Sequence, residues 1–189
     1  MVRAIIFDLY GVLGLNGWQD FKQLHFGDDP EQWERLRKLG QAVDAREASY
    51  EQLVEEISRA SGADVREVRQ NLESTKPNVQ LLDFIENSLH DYRIGVLSNA
   101  NADVMRGIFT DDNLKLFDDV VLSVDTGLTK PDETMFELAC QRLGVEPKEC
   151  LFVDDKQSNV DAANRVGLKG LLYRSVPQTE RAIKDELSK

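Results

Sequence analysis

Five short runs in this chain are apolar without alternating: RAIIFDL (3–9), YRIGVLS (92–98), DVVLSVD (119–125), ECLFVD (149–154) and KGLLY (169–173). A strand reads this way when both of its faces are covered, as in a parallel sheet lying between two layers of helices. Helical patterns separate the runs. Ala102, Met105, Ile108 and Phe109 share one face. Met135, Phe136, Ala139, Cys140 and Leu143 form a stripe over 131–143, with Pro131 suited to a first turn and Gly144 as the stop. A shorter helix is expected from Ser158 to Val166, before Gly167. Strands alternating with helices specify an α/β, doubly wound, Rossmann-like parallel sheet.

One connection breaks the rhythm. About 80 residues separate the first two strands, and nearly all read as helical. Ser49-x-x-Gln52 is a capping box for a helix with Tyr50, Leu53, Val54 and Ile57 on one face. Asp64-x-x-Glu67 opens another helix, and Trp33, Leu36 and Val43 mark an earlier one. Thr75-Lys76-Pro77-Asn78 reads as a hinge, and 79–90 as a helix of the core. The expected organisation is a core of residues 1–14 and 77–189, with a small helical domain, 15–76, inserted after the first strand.

Composition excludes several partners. A formal net charge of -11 disfavours nucleic acid and anionic membranes, which reward an excess of Lys and Arg. No apolar run approaches the roughly 20 residues that cross a bilayer, and the N-terminus reads directly as a strand. A cytoplasmic protein is expected. Cys140 and Cys150 lie outside any CxxC and read as buried free thiols. With only His25 and His90 in the chain, a metal here would be held by oxygen.

In an open parallel sheet, ligands bind beyond the carboxyl ends of the strands. Asp8 ends the first run, Ser98-Asn99 the second and Asp154-Asp155 the fourth; Thr126 to Pro131 follows the third and delivers Lys130. Taken singly, each has a bland reading as turn former, helix cap or solvated charge. Taken together, at one edge of one sheet, they describe a site. Three carboxylates in one cleft repel by several kcal/mol at about 4 Å and an effective dielectric near 20, more than one lysine offsets. A hard divalent cation does offset it, and Mg²⁺ takes one or two carboxylates while leaving positions for water and phosphate oxygen. Such a site suits a small phosphorylated substrate, with Ser98 Oγ in the cradle and Asp8 as nucleophile of an aspartyl-phosphate pathway.

The ordered segments FDLYGVL (7–13), LSNAN (97–101), GLTKPDETMFELACQRLG (127–144) and LFVDDKQSNVDAANRVG (151–167) resemble the haloacid dehalogenase superfamily. Their nearest look is to its sugar-phosphate phosphatases and to the phosphatase domains of some epoxide hydrolases. The resemblance implies a hydrolase with Asp8 as nucleophile, and Ser98, Asn99 and Lys130 on the transferred group. Mg²⁺ would be bound by Asp8, Asp155, Asp154 (directly or through water) and the main-chain carbonyl of Tyr10, with Asn159 in support. The insert would be a small helical cap that sets specificity together with the loop after Tyr10.

Position 10 departs from the pattern. Phosphatases of the family carry a second Asp there, as acid for the leaving group and base for water; a Tyr is typical of the true dehalogenases, which work without metal and lack the Asp pair. Three readings therefore stand: a Mg²⁺-dependent phosphohydrolase favouring good leaving groups, a metal-free 2-haloacid dehalogenase, and an inactive member binding a phosphorylated ligand or a protein. In the insert, Trp18, Phe21 and Trp33 are candidates for the pocket, and Arg35, Arg37 and Arg46 for an anionic substrate.

Overall fold

In the computed structural model of the chain, the structure describes residues 1–27, 29–44, 48–100 and 104–189, excepting the side chains of residues 18–20, 23, 30, 33, 37, 41 and 44. Trp18, Trp33 and Arg37 as side chains, and Asn101, Ala102 and Arg46 altogether, lie outside the described residues.

Two compact units form, Met1–Leu15 with Lys76–Lys189, and Asn16–Thr75. In chain order the elements begin with β1 (Ala4–Phe7), β2 (Gly14–Asn16), α1 (Trp18–Phe26), α2 (Pro30–Asp44), α3 (Tyr50–Ser61), α4 (Val65–Glu73) and β3 (Thr75–Pro77). Then come α5 (Val79–Ser88), β4 (Arg93–Ser98), α6 (Val104–Ile108), α7 (Asp111–Leu114), β5 (Asp119–Leu122) and α8 (Ser123–Thr126). The chain closes with α9 (Glu133–Leu143), β6 (Cys150–Asp154), α10 (Gln157–Val166), β7 (Lys169–Leu172) and α11 (Val176–Leu187).

The larger unit is built on a parallel five-stranded sheet in the order β5-β4-β1-β6-β7. Successive side chains of a strand point to opposite faces, and β1 is buried along its length because both faces are covered. Ile5 and Phe7 join a cluster with Leu81, Phe84 and Ile85 of α5 and Ile183 of α11. Ala4 and Ile6 join a second, with Met135, Phe136 and Ala139 of α9 and Ala162 and Ala163 of α10. The doubly wound sheet expected from the apolar runs is the sheet observed. Cys140 and Cys150 are free and buried.

Phe136 is fully buried and stacks edge-on to Phe152, 5.1 Å between ring centroids. Phe136→Ala is expected to cost about 3–5 kcal/mol, the range for truncating a buried aromatic, seen as a lower urea midpoint with unchanged slope. A loss under about 1 kcal/mol would contradict the packing.

The smaller unit closes on Phe21, Phe26, Leu36, Val54, Ile57 and Val68. The capping box forms: Gln52 N–H donates to Ser49 Oγ at 3.1 Å, and Ser49 N–H to Gln52 Oε1 at 2.8 Å. Asp64 caps α4 through Arg66 N–H.

The structure differs from the sequence expectation in three local places. The third strand stops at Leu122, because residues 123–126 turn into α8, closed by Gly127 at φ 71. Pro131 does not open a helix; Asp132 is the cap of α9, accepting from Thr134 N–H, and Pro131 follows a cis peptide. Thr75–Pro77, read as a hinge, is a strand paired with β2. Among the described residues no helix is long and apolar enough to cross a membrane.

Candidate active site

Register places the chemistry. Phe7 lies level with Val96 on one side and Val153 on the other, so Asp8 and Asp154, one residue further on, and Ser98, the last residue of β4 and two beyond Val96, emerge at one edge. Asp8 N–H donates to Val153 O at 2.8 Å, which carries the sheet one residue further and fixes where the carboxylate begins. Asp8, Ser98, Lys130 and Asp154 are all buried.

Lys130 joins the carboxylates. Its Nζ lies 2.6 Å from Asp8 Oδ1 and donates to Asp154 Oδ2 at 2.7 Å. Asn99 fixes the lysine from behind: Lys130 N–H donates to Asn99 Oδ1 at 2.7 Å and Asn99 Nδ2 to Lys130 O at 2.9 Å. The sequence reading set Asn99 on the transferred group; its amide is instead turned to the lysine main chain.

Adjacent Asp154 and Asp155 have different surroundings. Asp154 is fully buried, and both its oxygens are bonded, Oδ1 by Lys156 N–H and Asn159 Nδ2, Oδ2 by Lys130 and Asn159 Nδ2. Asp155 Oδ1 is buried without a partner. A buried carboxylate oxygen left unbonded costs free energy, so this oxygen is free to meet a ligand. Oxygens of Asp8, Asp154 and Asp155 lie within 4.8 Å of one another. Gly11 leaves the room: at φ 85 it takes a conformation that disfavours side chains, and a Cβ there would sit 2.6 Å from Asp155 Oδ2. Ser98 Oγ is also buried and unpartnered. Tyr10 is 43% exposed, its main chain bridged to Gly14.

Electrostatics expresses the same crowding. Burial pushes the Asp8 carboxyl up from 3.8 to about 6, Lys130 pulling it back and Asp154 adding to the rise. Burial and the Asp154 charge also raise Asp155. A carboxyl whose value is raised on folding contributes stability that is full below its unfolded value and is lost as pH rises through the folded one. In EDTA, the Asp8 share of this loss falls between about pH 4 and 7. Asp8→Asn removes it, so the variant is expected to melt higher than wild type at pH 7 in EDTA, and level with it near pH 4. A variant melting lower at pH 7 would refute the assignment.

The donor set fits a hard divalent cation: oxygen ligands, excess negative charge and one oriented, unsatisfied carboxylate oxygen. Asp8, Tyr10, Ser98, Asn99, Lys130, Asp154 and Asp155 are thus brought to one edge of the sheet. Sequence reasoning did not find Asn78 and Tyr173, which bond into the same edge and belong to no motif.

Comparison with known proteins agrees. D-ribitol-5-phosphate phosphatase of Bacteroides thetaiotaomicron is 25% identical over 191 residues, covering 89% of this chain and 90% of that protein. (S)-2-haloacid dehalogenase 4A of Burkholderia cepacia is 30% identical over 77 residues, 40% of this chain and 33% of that protein. A haloacid dehalogenase-family enzyme of Bacteroides thetaiotaomicron, solved with magnesium and inorganic phosphate, superposes with a TM-score of 0.58 at 20% identity over 93% of this chain and 96% of that one. Several other curated relatives are matched over a small part of their length, from 6% to 24%. The family model for haloacid dehalogenase-like hydrolases matches residues 2–167. With the sheet, its edge of carboxylates and this match in agreement, the chain belongs to the haloacid dehalogenase-like hydrolases.

Proposed function

We propose that this hydrolase is a Mg²⁺-dependent phosphatase of a small phosphorylated metabolite, working through an aspartyl-phosphate on Asp8. The observation that carries the reading is the buried, unpartnered Asp155 Oδ1 beside Asp8 and Asp154, three carboxylates around one lysine. Asp155, Asp8 and the Tyr10 carbonyl would hold the cation, with Asp154 bound to Lys130 and Asn159 and orienting the lysine. When bound, Mg²⁺ offsets the carboxylate charge and polarises the phosphoryl oxygens.

The chain's own residues account for the rest. Asp8 Oδ attacks phosphorus, the bond from phosphorus to the leaving oxygen breaks, and that oxygen departs with its electron pair. Lys130 steadies the carboxylate beforehand and the phosphoryl charge during transfer. Ser98 Oγ, with no partner of its own, is available to donate to a phosphoryl oxygen. Asn99 is a positioning residue for Lys130. Water then attacks phosphorus, returning the Asp8 carboxylate and phosphate. The likeness to a ribitol-phosphate phosphatase along nearly the whole chain, and the magnesium and phosphate held by a structural neighbour, support the reading.

The dehalogenase reading keeps one observation, Tyr10 where the phosphatases carry an acid. The two separate in one experiment: phosphate release from acetyl phosphate and p-nitrophenyl phosphate, and chloride release from 2-chloropropionate, each with Mg²⁺ and with EDTA. Phosphate release that falls about 10²-fold or more in EDTA is expected, the metal supplying several kcal/mol. Chloride release in EDTA without phosphate release would reverse the assignment, and no turnover of either kind would leave a binding protein.

A further inference from the structure

The carboxylates are joined across the site by Lys130 on one route, and by a second, uncharged route that no motif marks. Leu13 N–H donates to Asp8 O at 3.3 Å, within the turn that follows the first strand. The same turn is gripped by Asn78, whose N–H donates to Leu13 O at 2.8 Å and whose Nδ2 donates to Val12 O at 2.8 Å. Asn78 Nδ2 also donates to Tyr173 Oη at 3.0 Å, and Tyr173 N–H donates to Asp154 O at 2.9 Å. Hydrogen bonds thus run from the Asp8 turn through Asn78 and Tyr173 to the end of β6, joining segments 66 and 95 residues apart in sequence. Asn78 is buried, 4% exposed.

We propose that Asn78 and Tyr173 are a positioning pair that sets the spacing between the Asp8 turn and the Asp154–Asp155 loop. The proposal rests on the reading of these carboxylates as the cation and phosphate site. Spacing matters because the clearance is small: Gly11, in the gripped turn, lies so close to Asp155 that a Cβ would meet its Oδ2 at 2.6 Å. A turn released from Asn78 shifts the Tyr10 carbonyl and Asp8 together against Asp155. Helix capping alone does not account for the amide, since its Oδ1 reaches Leu81 N–H at 3.4 Å while its Nδ2 serves the turn and Tyr173. Neither residue touches the reacting atoms; each acts through groups that do.

Tyr173→Phe removes one hydroxyl and keeps the ring; Asn78→Ala removes the bridge. Two readouts are taken: kcat and KM for acetyl phosphate, well below the melting temperature of each variant, and, from thermal melts, the Mg²⁺ concentration giving half of the maximal rise in melting temperature. Groups that orient metal ligands cost about 10–100-fold in metal affinity or activity when removed. Tyr173→Phe is expected near 10-fold and Asn78→Ala near 100-fold, in kcat more than in KM, with the Mg²⁺ midpoint displaced upward. A variant that melts lower in EDTA but keeps both wild-type kcat and the wild-type Mg²⁺ midpoint would assign the pair to stability alone and overturn the proposal. If the wild type releases no phosphate, the phosphatase reading fails separately, and the Mg²⁺ midpoint alone decides.

Discussion

Asp8→Asn is expected to lower phosphate release from acetyl phosphate by about 10³-fold or more, the scale on which removing a covalent nucleophile acts. The expectation is sharp because the substitution changes so little else. Leu9 N–H donates to Asp8 Oδ1 at 2.7 Å, a bond the amide oxygen of Asn can still accept. Lys130 keeps its bond to Asp154, so no buried cation is left unpaired. The edge of the sheet is held by Asp8 N–H, which the change does not touch. Loss of turnover should therefore come with a raised melting temperature at pH 7 in EDTA, in line with the raised carboxyl. A variant that releases phosphate within about tenfold of wild type would remove Asp8 from the nucleophile's role and with it the aspartyl-phosphate pathway. Dehalogenation would use the same carboxylate, so the variant tests the pathway and the paired chloride assay tests the substrate.

The edge of carboxylates was legible because each member ends a strand that is apolar for reasons of packing. Ala4 to Phe7 must be apolar on both faces, so the first polar residue after them stands out. Lys130 was found by its place after the third strand, although the strand itself was read three residues too long, through Asp125 rather than to Leu122. The division of work between Asp154 and Asp155 came from the family resemblance, which set Asp155 directly on the metal, and not from the residues themselves. Two neighbouring carboxylates look alike in a sequence, and only the fold decides that one meets Lys130, Lys156 and Asn159 while the other keeps a free oxygen. Asn99 likewise reads as a ligand group, yet it is turned to a main chain 31 residues away. Asn78 was hidden inside a stretch that reads as a hinge, and Tyr173 at the end of a strand pattern; their pairing spans 95 residues and leaves no local periodicity. Helix α11 was not anticipated, though Val176, Thr179 and Ile183 form its buried face.

Tyr10→Asp is expected to raise kcat by about 10²-fold, within the 10²–10⁴ range of general acid–base help. Tyr10 follows Asp8 by two residues and is partly exposed. Burial and the charge of Asp8 push its phenol above its ordinary value near 10, so at neutral pH it holds its proton and cannot take one from water. The wild type then lacks a base at this position for the second half of the reaction. Its aspartyl-phosphate should accumulate, giving a burst of alcohol or phenol that approaches one equivalent per enzyme, followed by a slow steady rate common to different substrates. For the first half, kcat/KM should fall as the leaving-group pKa rises, because the leaving oxygen departs without a carboxylic acid to protonate it. An Asp at position 10 supplies both functions: the burst should disappear, and alkyl phosphates should gain more in kcat/KM than acetyl phosphate. Tyr10→Phe separates the phenol from the missing acid, since it leaves the burst in place and lowers kcat/KM only if the hydroxyl donates to the leaving group. A wild type that shows no burst, and whose kcat/KM rises with leaving-group pKa, would mean that another group on this edge performs the proton transfer, and that Tyr10 is no loss to the chemistry.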